Sequence, residues 1–152
     1  MKSRVDEAVK LFEAGYNCCQ SVFAAYADLF GMDRETALKL SSPMGAGMGR
    51  MREVCGAVSA MALLAGLKDG NTDPTDQQAK AKDYEVVRQM TDRFKESNET
   101  VICRELLKGF ALDNSATPEA RTPEYYGKRP CIRLVADAAK IVEEILIDDI
   151  ID

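Results

Sequence analysis

The sequence predicts an all-α, single-domain protein, a bundle of about six or seven helices packed around a buried central one. Three observations predict it. Apolar residues recur at three- and four-residue spacing between clear turn signals. No run alternates apolar and polar residues with the period of a strand. One segment, VCGAVSAMALLAGL, carries no charge on any face, as expected of a helix surrounded by protein. The 152 residues, 46% hydrophobic and 30% charged, suffice for one domain spanning 1–152 with its own core.

The first helix is read from Arg4 to Glu13, with Val5, Ala8, Val9 and Phe12 on one face, and Gly15 ends it. Asn17 is a good N-cap for a second helix, Cys18 to Phe30, whose inner face uses Val22, Phe23, Tyr26, Leu29 and Phe30. Gly31 stops it, and Asp33 caps a short helix to about Leu40. SSPMGAGMG, Ser41 to Gly49, is a loop of turn formers. The charge-free helix follows, Glu53 to Leu67. Its small residues Gly56, Ala57, Ser59, Ala60 and Ala62 allow neighbouring helices to come close. After a turn at Lys68 to Asp73, Pro74 opens a long helix to about Glu96, with Tyr84, Val87, Met90 and Phe94 facing inward. Thr100 caps Val101 to Leu107. Pro118, Pro123 and Pro130 mark Ala111 to Pro130 as an irregular loop. The last helix runs from Cys131 to about Ile147 with Leu134, Val135, Ala138, Val142 and Ile145 inside. Asp148, Asp149 and Asp152 read as a solvated tail.

Composition narrows the chemistry. Net charge is -5 with no basic stripe, so no nucleic-acid footprint is present. The start, MKSRVDEAVKLFEAG, lacks the apolar core of a secretory signal. The longest apolar stretch, about 14 residues from Val54 to Leu67, is too short to cross a bilayer core of roughly 30 Å. The expectation is a cytoplasmic, soluble protein without membrane insertion. A helix of small residues fits a monomer or a homodimer equally. There is no histidine, which removes Ser-His and Cys-His catalysis and His-ligated zinc. No paired-carboxylate motif stands in for it, so hydrolase and transferase chemistry lack support. An oxidoreductase is the enzyme class left open.

Five cysteines remain, and the cytoplasm keeps thiols reduced, so a static disulfide framework is not expected. Cys18 follows the N-cap Asn17, Cys55 opens the central helix, Cys103 lies three residues after Thr100, and Cys131 follows Pro130. All four occupy N-terminal turns, where free backbone N–H groups and the helix dipole favour an anion. The thiolate is the nucleophile and the metal ligand, and such surroundings lower a thiol pKa. Arg50 and Arg52 precede Cys55, Arg104 adjoins Cys103, and Arg129 and Arg133 flank Cys131. Packing is the alternative role for any one cysteine. It is the preferred reading for Cys19, which shares a helical face with Phe23 and Tyr26. Gly45, Gly47 and Gly49 make an anion-binding loop conceivable, but no G-K-[ST] follows, so a P-loop is excluded. Instead these glycines let the backbone run close to whatever Cys55 faces. Met44, Met48 and Met51 beside them are soft-metal donors or, as we prefer, core filling.

Gly15-Tyr-Asn-Cys18, the loop Met44-Gly-Ala-Gly-Met-Gly and Cys55-Gly56-Ala57, together with four cysteines in order, resemble the C_GCAxxG_C_C family of redox-active proteins. The likeness covers about 15 to 150. By position it carries the family cysteines onto Cys18, Cys55, Cys103 and Cys131, the four selected by helix position, and matches Gly56 and Ala57 to the next two motif residues. Ala60 stands where the motif has its last glycine, and Cys19 falls on a position that is usually not cysteine. The resemblance implies redox chemistry without naming a substrate.

Three functions stay open. The four thiols exchange reversibly with disulfides, together with an unidentified redox partner. Alternatively, Cys18, Cys55, Cys103 and Cys131 bind a zinc ion or an iron–sulfur cluster, although their long spacings match no short-range ligand motif. Or the domain is a helical interaction module with inert cysteines. No C-x-x-C is present, which excludes the thioredoxin arrangement.

Overall fold

Residues 1–150 apart from Asn114 are described by the computed structural model; Asp152 of the expected acidic tail lies outside them. Among the described residues there are eight α-helices and no strand: α1 Val5–Glu13, α2 Cys18–Tyr26, α3 Arg34–Ser41, α4 Gly56–Asp69, α5 Gln77–Asn98, α6 Cys103–Leu106, α7 Pro123–Lys128 and α8 Cys131–Leu146. The all-α, single-domain expectation is met, with one helix more than the upper figure because the proline-rich stretch hides a short one. Thr122 Oγ1 accepts from the Tyr125 N–H and Pro123 occupies the first turn, a combination that starts α7.

Local chemistry sets the helix ends. Asn17 and Gln20 form a reciprocal capping box at the start of α2. Asp33 caps α3. Gly15, at φ +111°, takes the left-handed turn that closes α1. Four boundaries differ from expectation. Thr100 does not cap a helix at Val101: its hydroxyl accepts from the Ile102 N–H in a local turn, and α6 starts at Cys103. The last turn of the second helix tightens into a 3-10 helix, Ala27–Phe30, before Gly31 at φ +89°. Helix α5 begins at Gln77 rather than Pro74, because Asp73 turns back to accept the Thr75 N–H while Asp76 caps through Ala79. The central helix begins at Gly56, with Cys55 as its N-cap.

Helices α2, α4 and α8 form the centre, with α1 against α2 and α8, and α5 against α4 and α8. Along α2, seven residues from Cys19 to Tyr26 are buried, and Phe23 and Tyr26 are among the largest enclosed side chains. Ala57, Ala60 and Leu64 of α4 are wholly enclosed, whereas Gly66, Lys68 and Asp69 are exposed. Helix α4 is therefore encased along its first turns and emerges at its end. The expected inner face of α5 is only partly observed: Met90 and Phe94 are buried and Val87 is half-buried, but Tyr84 is 67% exposed. The inward stripe there runs through Ala79, Asp83 and Val86 instead. Asp148 and Asp149 lie past α8, and the Asp149 carbonyl accepts from the chain's amino terminus at 2.5 Å. No helix among the described residues is long and apolar enough to cross a membrane.

One polar knot sits in this core. The Glu143 carboxylate on α8 accepts from the Tyr26 hydroxyl at 2.5 Å, the Arg4 backbone N–H at 2.7 Å and the Ser3 hydroxyl at 3.1 Å. Burial, then the hydrogen bond to Glu143, push the Tyr26 phenol far above its ordinary pKa, so it remains a donor. Replacing Tyr26 with Phe leaves a buried carboxylate one donor short. The expected loss, read by urea denaturation, is about 1–3 kcal/mol; an unchanged midpoint and slope would contradict this account.

Candidate functional site

Cys18, Cys55, Cys103 and Cys131 come from four helix starts and line one cavity of about 370 Å³. Cys18, Cys103 and Cys131 are each the first residue of their helix, and Cys55 is the cap of α4. All five cysteines are free thiols, and Cys19 is wholly enclosed in the core, away from the cavity. Burial and the neighbouring Cys18 push the Cys19 pKa well up.

Close approach of α2 and α4 builds the centre of the site. The Cys18 sulfur lies against the first turn of α4, and its pKa is lowered by the neighbouring Cys55 thiol and by the backbone N–H groups of Ala46, Cys19 and Gly56. Two helix N-termini and the 46-loop thus converge on one sulfur. A β-carbon on Gly56 would lie 2.5 Å from that sulfur, and one on Gly45 would lie 2.3 Å from Asn17 Cγ. Both glycines are needed for approach rather than for backbone freedom. Gly47 differs: at φ +75°, its α-carbon sits where a side chain would strike the Arg52–Glu53 backbone.

The loop is strained. Ala46, Gly47, Met48, Gly49 and Arg50 all have φ between +54° and +75°, and Arg52 has φ +61°. Left-handed backbone costs a non-glycine residue roughly 1–2 kcal/mol. Backbone bonds from Met48 to Met44, Arg50 to Gly45, Arg52 to Ala46 and Glu53 to Gly47 hold the turn. Such strain persists only where surrounding structure enforces it. Here it aims the Ala46 N–H at Cys18 and turns Arg50 and Arg52 toward the cavity. Met48 and Met51 project to solvent at 48% and 60% exposure, so neither is core filling, while Met44 packs against the core.

Cys55 and Cys103 are tied together by backbone. Val54 and Ile102 form an isolated antiparallel bridge. The Cys55 N–H donates to the Val101 carbonyl at 2.8 Å, and the Cys103 N–H to the Glu53 carbonyl at 2.6 Å. Arg104, expected beside the thiols, instead pairs with Glu53 at the rim, and Arg133 donates to Asn98. Arg50, Arg52 and Arg129 do line the cavity, joined by Arg121.

The expectation that all four N-terminal thiols are acidic holds for one. Cys18 is lowered to about 6, chiefly by the Cys55 thiol, against burial, with the backbone N–H groups of Ala46, Cys19 and Gly56 adding to the lowering. Cys55 moves up, because of the neighbouring Cys18 and its own desolvation. Burial raises Cys103 despite a hydrogen bond from Arg52, and pushes Cys131 up to about 12. A helix start does not by itself make a thiol acidic: the Ala57 and Val58 N–H groups act on Cys55, yet Cys18 and burial raise it.

Sequence reasoning missed Glu119, Arg121 and Tyr125, which lie in the proline-rich segment and complete the cavity wall. Arg121 stacks on Phe12 with its guanidinium carbon 4.3 Å from the ring centre, and donates to the Phe12 and Tyr16 carbonyls. The signal was Thr122-Pro123 followed by two tyrosines, a helix start with an aromatic anchor. Among the described residues no group of three or more Cys, Asp or Glu is gathered closely enough to hold a metal ion.

A family model described as "Putative redox-active protein (C_GCAxxG_C_C)" matches residues 16–145. No curated protein and no solved structure matches the chain.

Alkylation across a pH series reads the thiol order. With its pKa lowered to about 6, Cys18 is thiolate above that pH and protonated below it. Its iodoacetamide rate should therefore reach half its plateau near pH 6, while the other four thiols react slowly at pH 7. Gly56→Ala displaces the sulfur from its N–H donors, so the half-plateau pH should rise and the pH 6 rate drop, about fivefold for a rise of about one pKa unit. Equal reactivity of all five thiols, mapped by peptide mass spectrometry, would refute the assignment.

Proposed function

As the chain belongs to the redox-active C_GCAxxG_C_C family, matched over residues 16–145, we propose that it is a thiol–disulfide exchange protein in which Cys18 attacks and Cys55 resolves. The observation that carries this reading is the convergence of Cys18, Cys55, Cys103 and Cys131 on one cavity, where the Cys55 thiol and nearby backbone N–H groups favour the thiolate of Cys18.

The Cys18 thiolate attacks one sulfur of a disulfide R–S–S–R. An S–S bond forms to Cys18 and one thiolate RS⁻ leaves. Cys55 then loses its proton to the released thiolate and attacks the Cys18 sulfur, and the second RS⁻ leaves. The two protein thiols are oxidised to a disulfide, and the substrate disulfide is reduced to two thiols. A thiol with a pKa near ambient pH balances thiolate fraction against nucleophilicity, which suits Cys18. Cys55, raised by the neighbouring Cys18 and by burial, is a poor first attacker. Once Cys18 is consumed in the mixed disulfide, its charge disappears and Cys55 becomes more acidic.

Opposite outcomes are expected from two substitutions. Cys18→Ser abolishes release of thiol from an added disulfide. Cys55→Ser still reacts, but stops at a mixed disulfide visible by intact mass, with one equivalent of thiol released instead of two. Full two-equivalent release from Cys18→Ser would overturn the proposal.

A further inference from the structure

The cavity holds more positive charge than its own residues neutralise. Arg50, Arg52, Arg121 and Arg129 line it, against Glu119 as the single lining carboxylate among the described residues. The side chains of Arg50, Arg52 and Arg129 are only 10%, 8% and 8% exposed. All three converge on one oxygen, Glu119 Oε1, at 3.4, 3.7 and 2.5 Å. Arg121 spends its donors on carbonyls and the Tyr126 hydroxyl, none of which carries a countercharge. Arg50 also reaches Asp113, but that carboxylate is 62% exposed and lies off the cavity wall.

A second, independent observation is Arg52 Nε, which is buried and has no hydrogen-bond partner among the described groups. Buried guanidinium donors are nearly always satisfied, and Arg52, paired only at 3.7 Å with a Glu119 oxygen that two other arginines share, is left short of acceptors. The strained loop holds this arginine in place, with φ +61° at Arg52 itself. In a chain of net charge -5, such a concentration of guanidinium against one carboxylate is a built anion site.

We propose that the substrate is a small disulfide carrying carboxylates, drawn to the thiols by Arg52, Arg50 and Arg129. This rests on the thiol–disulfide reading and adds the class of molecule. The cavity, at about 370 Å³, falls at the small-ligand end of pocket sizes. Planar guanidinium forks match carboxylates in pairs. Phe12 and Tyr125 provide apolar wall beside them. Glu119, on the segment leading into α7, occupies the arginines when no substrate does, and an incoming carboxylate competes with it.

The test compares two probe disulfides on the full-length protein at low salt: the dianionic 5,5′-dithiobis(2-nitrobenzoate) and the neutral 4,4′-dithiodipyridine. Each second-order rate is divided by that of 2-mercaptoethanol with the same probe, which removes intrinsic electrophilicity. The expected normalised ratio, anionic over neutral, is about tenfold or more and falls as inorganic sulfate is added. Arg52→Gln should lower the ratio several-fold. Glu119→Gln should raise it, an effect in the opposite direction that general loss of structure does not produce. A fast neutral reaction with a ratio near one, unmoved by either substitution, overturns the anion site while leaving the exchange chemistry standing. Slow reaction with both probes overturns the exchange reading itself, and the substrate proposal with it.

Discussion

The Cys18 sulfur, clasped between the first turns of α2 and α4, is the contact on which the rest of the site depends. Its own helix acts on it through the Cys19 N–H, α4 through the Gly56 N–H, and the left-handed loop through Ala46. Such an approach leaves no room for a β-carbon on Gly56. Each helix alone offers only a partial positive charge at its end. The Cys55 thiol, the largest influence, together with two helix ends and a loop aimed at one atom brings that atom's pKa below those of its three neighbours. Removing any one of the three supports reopens the competition with burial, which the other thiols lose.

The loop between α3 and α4 explains how this clasp coexists with the arginines. Six left-handed residues between Ala46 and Arg52 reverse the chain within a few ångströms, so that one face gives a backbone N–H to sulfur. The other gives Arg50 and Arg52 to the cavity. A regular helix or extended strand could not present both from so few residues. The backbone strain is balanced by the turn's own hydrogen bonds and by Asn17, whose Nδ2 donates to the Ser42 carbonyl at 2.9 Å. Acidity at Cys18 and positive charge at the cavity wall are therefore two results of one backbone path.

Much of this was legible in the residues. Asn17 with Gln20, Asp33, and Gly15 are local signals, and each acts where local rules say it should. The charge-free segment correctly marked α4 as the element the bundle is built around. The four cysteines were separable from Cys19 by helix position, because an N-terminal residue and a core-facing residue differ in the pattern around them. Other features were less accessible. Tyr84 fits the apolar stripe of α5 by spacing, yet the inward face there runs through Asp83, which accepts from the Asn71 N–H. A polar residue on that face is invisible to apolar periodicity. The segment from Ala111 to Pro130 looked structureless because its anchors are long-range: Arg121 against Phe12, and Glu119 against three arginines.

The sequence by itself determined that four of the cysteines stand at helix starts, since caps, glycines and prolines act over a few bonds. Only the tertiary structure decided that the four starts share one cavity and that a single thiol among them is acidic. Both depend on which N–H groups, which guanidiniums and how much protein surround each sulfur. Those surroundings come from residues tens of positions away, brought together when α2, α4 and α8 pack.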